Sequence, residues 1–201
     1  MSMIETQLKA RGIENPAVLE ALRRVPRHVF VPEEQKPYAY EDRPLPIGSG
    51  QTISQPYIVA YMTEKLALQP HHRVLEIGTG CGYQSAVLSE IANEVYSLEY
   101  FSELAETAKA NLREAGYPQV RVRQGNGHQG WPEAAPFDAI LVTAAAHDVP
   151  PALCDQLADE GRMIIPLGKP GEIQHLSLLH RQGKKIHRHT DLPVRFVPFL
   201  D

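Results

Sequence analysis

The chain has 201 residues, 43% of them hydrophobic and 22% charged, which is the size and composition of one folded domain and excludes a disordered or fibrous chain. Its net charge is −4 and it has no basic run, which argues against a nucleic-acid groove or an anionic membrane as the main partner. No stretch reaches the about 18 apolar residues of a membrane span, and "MSMIETQLKA" lacks a signal-peptide core, so a cytoplasmic protein is expected.

In "ENPAVLEALRRVP", Asn15 is the expected N-cap of a helix with Pro16 in its first turn and Val18, Leu19 and Leu22 on the apolar face; Pro26 ends it. Residues 26–53 are rich in Pro and Gly without periodicity and read as irregular. Pro56 opens a second helix, with Ile58, Val59, Met62 and Leu66 expected to face inward. From residue 73 the pattern alternates. "RVLEI" reads as a strand and "GTGCG" as a tight turn. "YQSAVLSEIA" is a helix burying Ala86, Val87 and Ile91, and "EVYSLE" a second strand. Ser102 is the expected cap of a helix carrying Leu104, Ala108 and Leu112, stopped at Gly116. "QVRVRQG" and "FDAILVTAA" are the third and fourth strands, Pro150-Pro151 opens a helix, and "GRMIIPLG" is the fifth strand. Such alternation predicts a doubly wound parallel α/β sheet. In the tail, "IQHLSLLHR" and "KKIHRHTDLPVRFVPFL" read as strands pairing antiparallel around Gln182-Gly183. The expected organisation is a single domain: helices and a loop over 1–70, a ligand-binding core over 71–168 and C-terminal strands over 169–201.

Doubly wound sheets bind ligands at the carboxyl ends of their strands. Three features fall there. In "EIGTGCG", Gly78, Gly80 and Gly82 let the backbone approach a ligand closely. Glu99 closes the second strand about 20 residues further on, where an acid suits a ribose diol. In "GNGHQG", Asn126 is placed to accept from an adenine amine. The dinucleotide fingerprint is G-x-G-x-x-G, but this turn is G-x-G-x-G with Glu76 just before it; a carboxylate there repels a pyrophosphate and suits a cationic, phosphate-free ligand. That favours S-adenosyl-L-methionine over a nicotinamide. Cys81 and Cys154 stand in no metal spacing and are expected as reduced thiols. His71-His72 and His187-x-His189 form no zinc pattern, so no metal is expected.

The run "LPIGSGQTISQPY…VLEIGTGCGYQSAVLSE", with "PFDAILVTAAA" and "VRFVP", resembles the protein-L-isoaspartate O-methyltransferase family. The resemblance is weakest in the first 25 residues and over 170–190, and "GQTISQP" is its most specific part. It implies a Rossmann-like, seven-stranded methyltransferase sheet with helical N-terminal and strand-rich C-terminal extensions. The implied activity is methyl esterification of the free carboxylate of L-isoaspartyl residues in damaged proteins and peptides. S-adenosyl-L-methionine is the implied donor and S-adenosyl-L-homocysteine the product, and the enzyme is expected to be a monomer. By the same resemblance Ser54 is the active-site serine and Thr52 and Ile53 line the donor site. Glu76, Gly78 and Gly80 hold the methionine end, and Thr79, Cys81 and Tyr100 are further donor-binding positions. Glu99 holds the ribose, Asn126 and Gly127 meet the adenine, and Phe196 and Val197 contact the peptide. Two positions depart from the family pattern, which usually has serine at 81 and aspartate at 126.

The loop "LPIGSGQTISQPY" carries the hydroxyls of Ser49, Thr52, Ser54 and Tyr57 but no acid, histidine, lysine or cysteine. Esterification by a sulfonium donor needs none of these. A carboxylate with an ordinary pKa near ~4 is already ionised at neutral pH, and the sulfonium leaves as a neutral thioether. Two readings compete: a nicotinamide oxidoreductase, disfavoured by the glycine spacing, and a nucleic-acid methyltransferase, whose Asp/Asn-Pro-Pro-aromatic motif "VPPA" does not match. A third is a catalytically weak donor-binding protein of the same fold.

Overall fold

The computed structural model describes residues 3–169 and 171–200. Helix α1 (Pro16–Arg24) begins as expected: the Asn15 side chain accepts from the Ala17 and Val18 amides at 2.9 and 3.3 Å, and Pro16 takes the first position, where no N–H is needed. Val18, Leu19 and Leu22 are buried. The stretch after Pro26, expected to be irregular, is ordered into 3-10 turns over Arg27–Phe30 and Glu33–Tyr38 and a hairpin of β1 (Leu45–Gly48) and β2 (Gln51–Ile53). Strands this short show no alternation in sequence. Their turn places Gly48, Ser49 and Gly50 at φ 96°, 50° and 69°, the left-handed region that glycine enters freely and serine rarely. In α2 (Pro56–Lys65), Val59 and Met62 face the core as expected and Leu66 is buried just beyond; Ile58 instead is half-buried and borders a cavity.

The chain then forms β3 (Arg73–Ile77), α3 (Tyr83–Ser89), β4 (Glu94–Glu99), α4 (Ser102–Glu114), β5 (Arg121–Gln124), β6 (Phe137–Val142), α5 (Pro151–Gln156), β7 (Leu157–Leu167), β8 (Gln174–Gln182) and β9 (Lys185–Val194). Seven strands make one sheet in the order β5-β4-β3-β6-β7-β8-β9. Strands β3 to β7 pair in parallel, and β8 and β9 add antiparallel at one edge. Buried clusters cover both faces, which is why the central strands read as continuous apolar runs. From β3 the chain winds outward through β4 and β5, then returns to lay β6 on the other side of β3. The crevice between the ends of β3 and β6 is the switch point.

Several boundaries differ from expectation. Ser102 does not cap α4: Phe101 holds the cap position with no side-chain bond, and Ser102 is the first helical residue. Gly116 does end that helix, at φ 91° with the Tyr117 amide donating to the Leu112 carbonyl at 2.7 Å, a Schellman-type closure. Ile91 lies beyond α3 and is half-buried. β7 starts earlier than expected because a bulge shifts its pairing with β6 between Phe137↔Leu157 and Ala139↔Arg162. The last expected strand stops at Val194. Residues 195–200 leave the sheet to cross the strand ends, where Pro198 bridges to Ala145. There the Ala145 amide donates to the Val197 carbonyl at 2.8 Å and the Phe199 amide to the Ala145 carbonyl at 2.9 Å.

Candidate active site

The turn after β3 is built from the outside in. The amides of Gly78 and Thr79 donate to the Leu98 carbonyl on β4 at 2.8 and 3.2 Å, which folds the turn back over the sheet. Gly78 sits at φ 93°, and a Cβ there would overlap the Thr143 hydroxyl oxygen. That hydroxyl has its own place, 3.0 Å from the Ile77 carbonyl oxygen and 2.7 Å from that of Gly78. The Gly80 amide donates to Glu99 Oε2 at 2.7 Å, while Glu99 Oε1 accepts from the Phe101 amide at 3.0 Å. Glu99 therefore shapes the turn and still borders the cleft with its remaining lone pairs. At the far wall a Cβ on Gly127 would come within 2.6 Å of the Phe199 ring. Glycine at 78 is what lets Thr143 pack against the turn, and glycine at 127 what lets Ile77 and Phe199 close against the far wall.

The resulting cleft, about 570 Å3 including its open mouth, is lined by Thr52, Gly78, Gly80, Glu99, Tyr100 and Gly127 among the expected donor residues. The tail segment Val197–Leu200 forms its outer wall. A second cavity lies alongside, lined by Ser54, Gln55, Ile58, Arg195, Phe196 and Val197 among others. Thr52, Thr143 and Val197 border both cavities, so the two meet across one wall. A smaller pocket between the hairpin and the glycine turn takes in Ile53, Thr79 and Cys81. The lining of the second cavity has no carboxylate, histidine or cysteine among the described residues, and Arg195 is its one charged side chain.

Two of the expected residues line none of these cavities. Glu76 is completely buried behind the turn: its Oε2 accepts from the hydroxyls of Ser85 and of Ser97, the latter at 2.6 Å, and its Oε1 has no partner among the described residues. Burial pushes its pKa up to about 8, against the pull of the two hydroxyls and with a further push from Glu99. Asn126 caps the 3-10 turn Gly127–Gln129, its side-chain oxygen accepting from the His128 amide at 2.8 Å. Cys81 is also buried, with its thiol pushed up to about 11, which removes it as a nucleophile. Reading the sequence missed Thr143, Arg195 and the outer wall Phe199–Leu200. The signals were a hydroxyl closing the apolar run "FDAILV" and a lone cation inside "VRFVPF".

The family model described as Protein-L-isoaspartate(D-aspartate) O-methyltransferase (PCMT) matches residues 1–201. A protein-L-isoaspartate O-methyltransferase of Opitutus terrae is 58% identical over 197 residues, covering 98% of this chain and 84% of its own. One of Gloeobacter violaceus is 55% identical over 196 residues, covering 98% and 96%. A solved structure described as protein-L-isoaspartate O-methyltransferase superimposes with a TM-score of 0.89 at 32% identity, over 98% of this chain and 64% of that one. A Plasmodium falciparum chain solved in complex with S-adenosyl-L-homocysteine gives 0.86 at 27% identity, over 98% and 96%.

Proposed function

Because the chain belongs to the protein-L-isoaspartate(D-aspartate) O-methyltransferase family, we propose that its two adjoining cavities divide one reaction between them. The cleft under the C-terminal tail takes S-adenosyl-L-methionine, and the cavity beside Ser54 takes the free carboxylate of an L-isoaspartyl residue. The reaction is methyl esterification of that carboxylate, which initiates repair of the damaged protein. The observation that carries this reading is the shared wall: Thr52, Thr143 and Val197 border both cavities, so a carboxylate on one side meets a donor on the other.

The residues present fit the donor. Gly78 and Gly127 let Thr143, Ile77 and Phe199 come close to the backbone as walls of the cleft, and Glu99 offers lone pairs to the ribose hydroxyls. In this reading Gly78, Thr79 and Gly80 take the methionine end, with Glu76 and Cys81 behind them and Ile53 packed across. Tyr100, Gly127 and Asn126 flank the ribose and adenine. S-adenosyl-L-methionine, when bound, supplies a methyl carbon on a sulfonium that leaves as a neutral thioether. The protein has no proton to move. Ser54 donates its hydroxyl to one carboxylate oxygen and leaves the other free to attack, while Arg195 draws the anion in and Phe196 and Val197 hold the peptide. Alignment of this kind is worth up to ~7–11 kcal/mol in favourable cases. The reading also carries a monomeric cytoplasmic enzyme that acts on protein and not on nucleic acid or membrane.

The test is incorporation of labelled methyl groups into an isoaspartyl peptide and its aspartyl twin. Labelling of the first alone is expected. Equal labelling of the two, or none of either, sinks the assignment.

A further inference from the structure

Arg27 is wholly buried, yet no carboxylate accepts from it among the described residues. Its Nε donates to the Ala39 carbonyl at 2.7 Å and its Nη2 to the Ser54 carbonyl at 2.8 Å, while Nη1 has no acceptor among the described residues. The guanidinium carbon lies 4.7 Å from the centre of the Tyr83 ring. Burial lowers its pKa, but a guanidinium stays charged in proteins. Taking such a cation out of water costs several kcal/mol even after relaxation, and an apolar residue of similar volume often serves stability as well or better. Support of the fold alone therefore does not account for a charge here.

What the side chain joins does account for it. Ser54 belongs to the acceptor cavity. Tyr83 opens α3 directly after Gly82, so it is fixed to the glycine turn of the donor cleft. One planar fork touches the backbone of Ser54, the backbone of Ala39 and the face of Tyr83, a three-way contact that an ammonium does not reproduce. We propose that Arg27 is a positioning residue for methyl transfer, holding the Ser54 backbone against the donor turn so that the Ser54 hydroxyl is set relative to the methyl donor. The inference rests on the role given to Ser54 above.

The test is a double-mutant cycle of Arg27→Lys and Ser54→Ala, with Arg27→Met as a second probe of the same corner. It measures kcat on an isoaspartyl peptide, donor Kd by calorimetry and Tm. Arg27→Lys keeps the charge and loses the fork, so it carries the test if the Met variant does not fold. Arg27→Lys is expected to lower kcat by roughly 10–100-fold, the scale of a misplacement near 1 Å, with donor Kd unchanged within about twofold. In the Ser54→Ala background the same change is expected to cost less than about twofold, because groups acting as one unit are not additive. Three results overturn the proposal: losses that multiply in the double variant, a donor Kd that weakens in step with kcat, or full turnover in Arg27→Lys. Unchanged turnover in Ser54→Ala alone instead removes the role of Ser54, and the proposal falls with it.

Discussion

Replacing Glu76 with glutamine tests the least usual feature of the site, a carboxyl with no exposure, a pKa pushed from 4.5 to about 8, and only hydroxyls bonded to it. At about 1.4 kcal/mol per pKa unit, that shift is worth a few kcal/mol of stability. A carboxyl whose folded pKa is raised holds its proton more tightly in the folded than in the unfolded chain. Its contribution is thus fully present below 4.5 and is lost as the pH climbs to about 8. Glutamine keeps an oxygen for Ser85 and Ser97 and has no proton to lose. Any fixed cost of the amide is the same at every pH. The assay is Tm of both proteins, free of donor, from about pH 4 to about pH 9. Wild type should lose on the order of 10 °C relative to Glu76→Gln across that range, since 1 kcal/mol moves Tm by ~2–4 °C at this chain length. His72, whose pKa burial lowers from 6.5, works the other way, stabilising the fold as pH rises; it is common to both proteins and drops out of the difference. Parallel Tm curves would refute the buried, proton-holding carboxyl.

Glu99→Gln should weaken donor binding roughly 10–150-fold, the ~1.5–3 kcal/mol of a charged hydrogen bond, because one amide oxygen replaces a carboxylate that already serves the Gly80 and Phe101 amides; undiminished affinity by calorimetry would contradict the ribose role. Asn126→Asp should leave Tm unchanged, since aspartate caps a helical turn as well as asparagine does, and should bind the donor equally or slightly more tightly. Donor binding tenfold weaker in that variant would mean that the Asn126 amide N–H reaches the adenine while its oxygen caps the turn.

The parallel core could be read from the sequence because its signals are local. Asn15-Pro16 starts a helix, Gly116 stops one, and strands buried on both faces are unbroken apolar runs. The glycine turn and Glu99 could be read for the same reason, as spacing within one strand-turn-helix unit and the strand after it. What stayed hidden depends on tertiary contacts. The β1–β2 hairpin is too short for periodicity, and its Ser49 takes a positive φ that propensity disfavours. The course of residues 195–200 across the strand ends is fixed by two hydrogen bonds to Ala145, about a quarter of the chain length away in sequence order. Glu76 and Asn126 were expected at a cavity wall, but one is bonded behind the turn and the other caps a 3-10 turn. Sequence gives the residue type near the site and not the direction in which the side chain points.

Those directions explain how a reaction without proton transfer shapes its protein. Only three Arg, Lys, Asp or Glu side chains among the described residues are almost fully buried, Arg27, Glu76 and Glu99. All three stand around the same corner, where the Ser54 loop meets the glycine turn, and none is paired with another. Glu99 is held by two backbone amides, Glu76 by two hydroxyls and Arg27 by two carbonyls and a ring. Each is thus joined to backbone or hydroxyl groups that fix the position of a loop, at a desolvation cost that Glu76 meets by holding its proton. If the chemistry required a general base, one of them would face the acceptor cavity. Instead that cavity is lined by hydroxyls, the Gln55 amide, apolar groups and Arg195, while the three buried side chains lie behind or beside the glycine turn. On the proposed reading that division is the one expected where the rate comes from alignment: the reacting carboxylate arrives already ionised, and the protein's buried polar side chains hold the two walls between which it would sit.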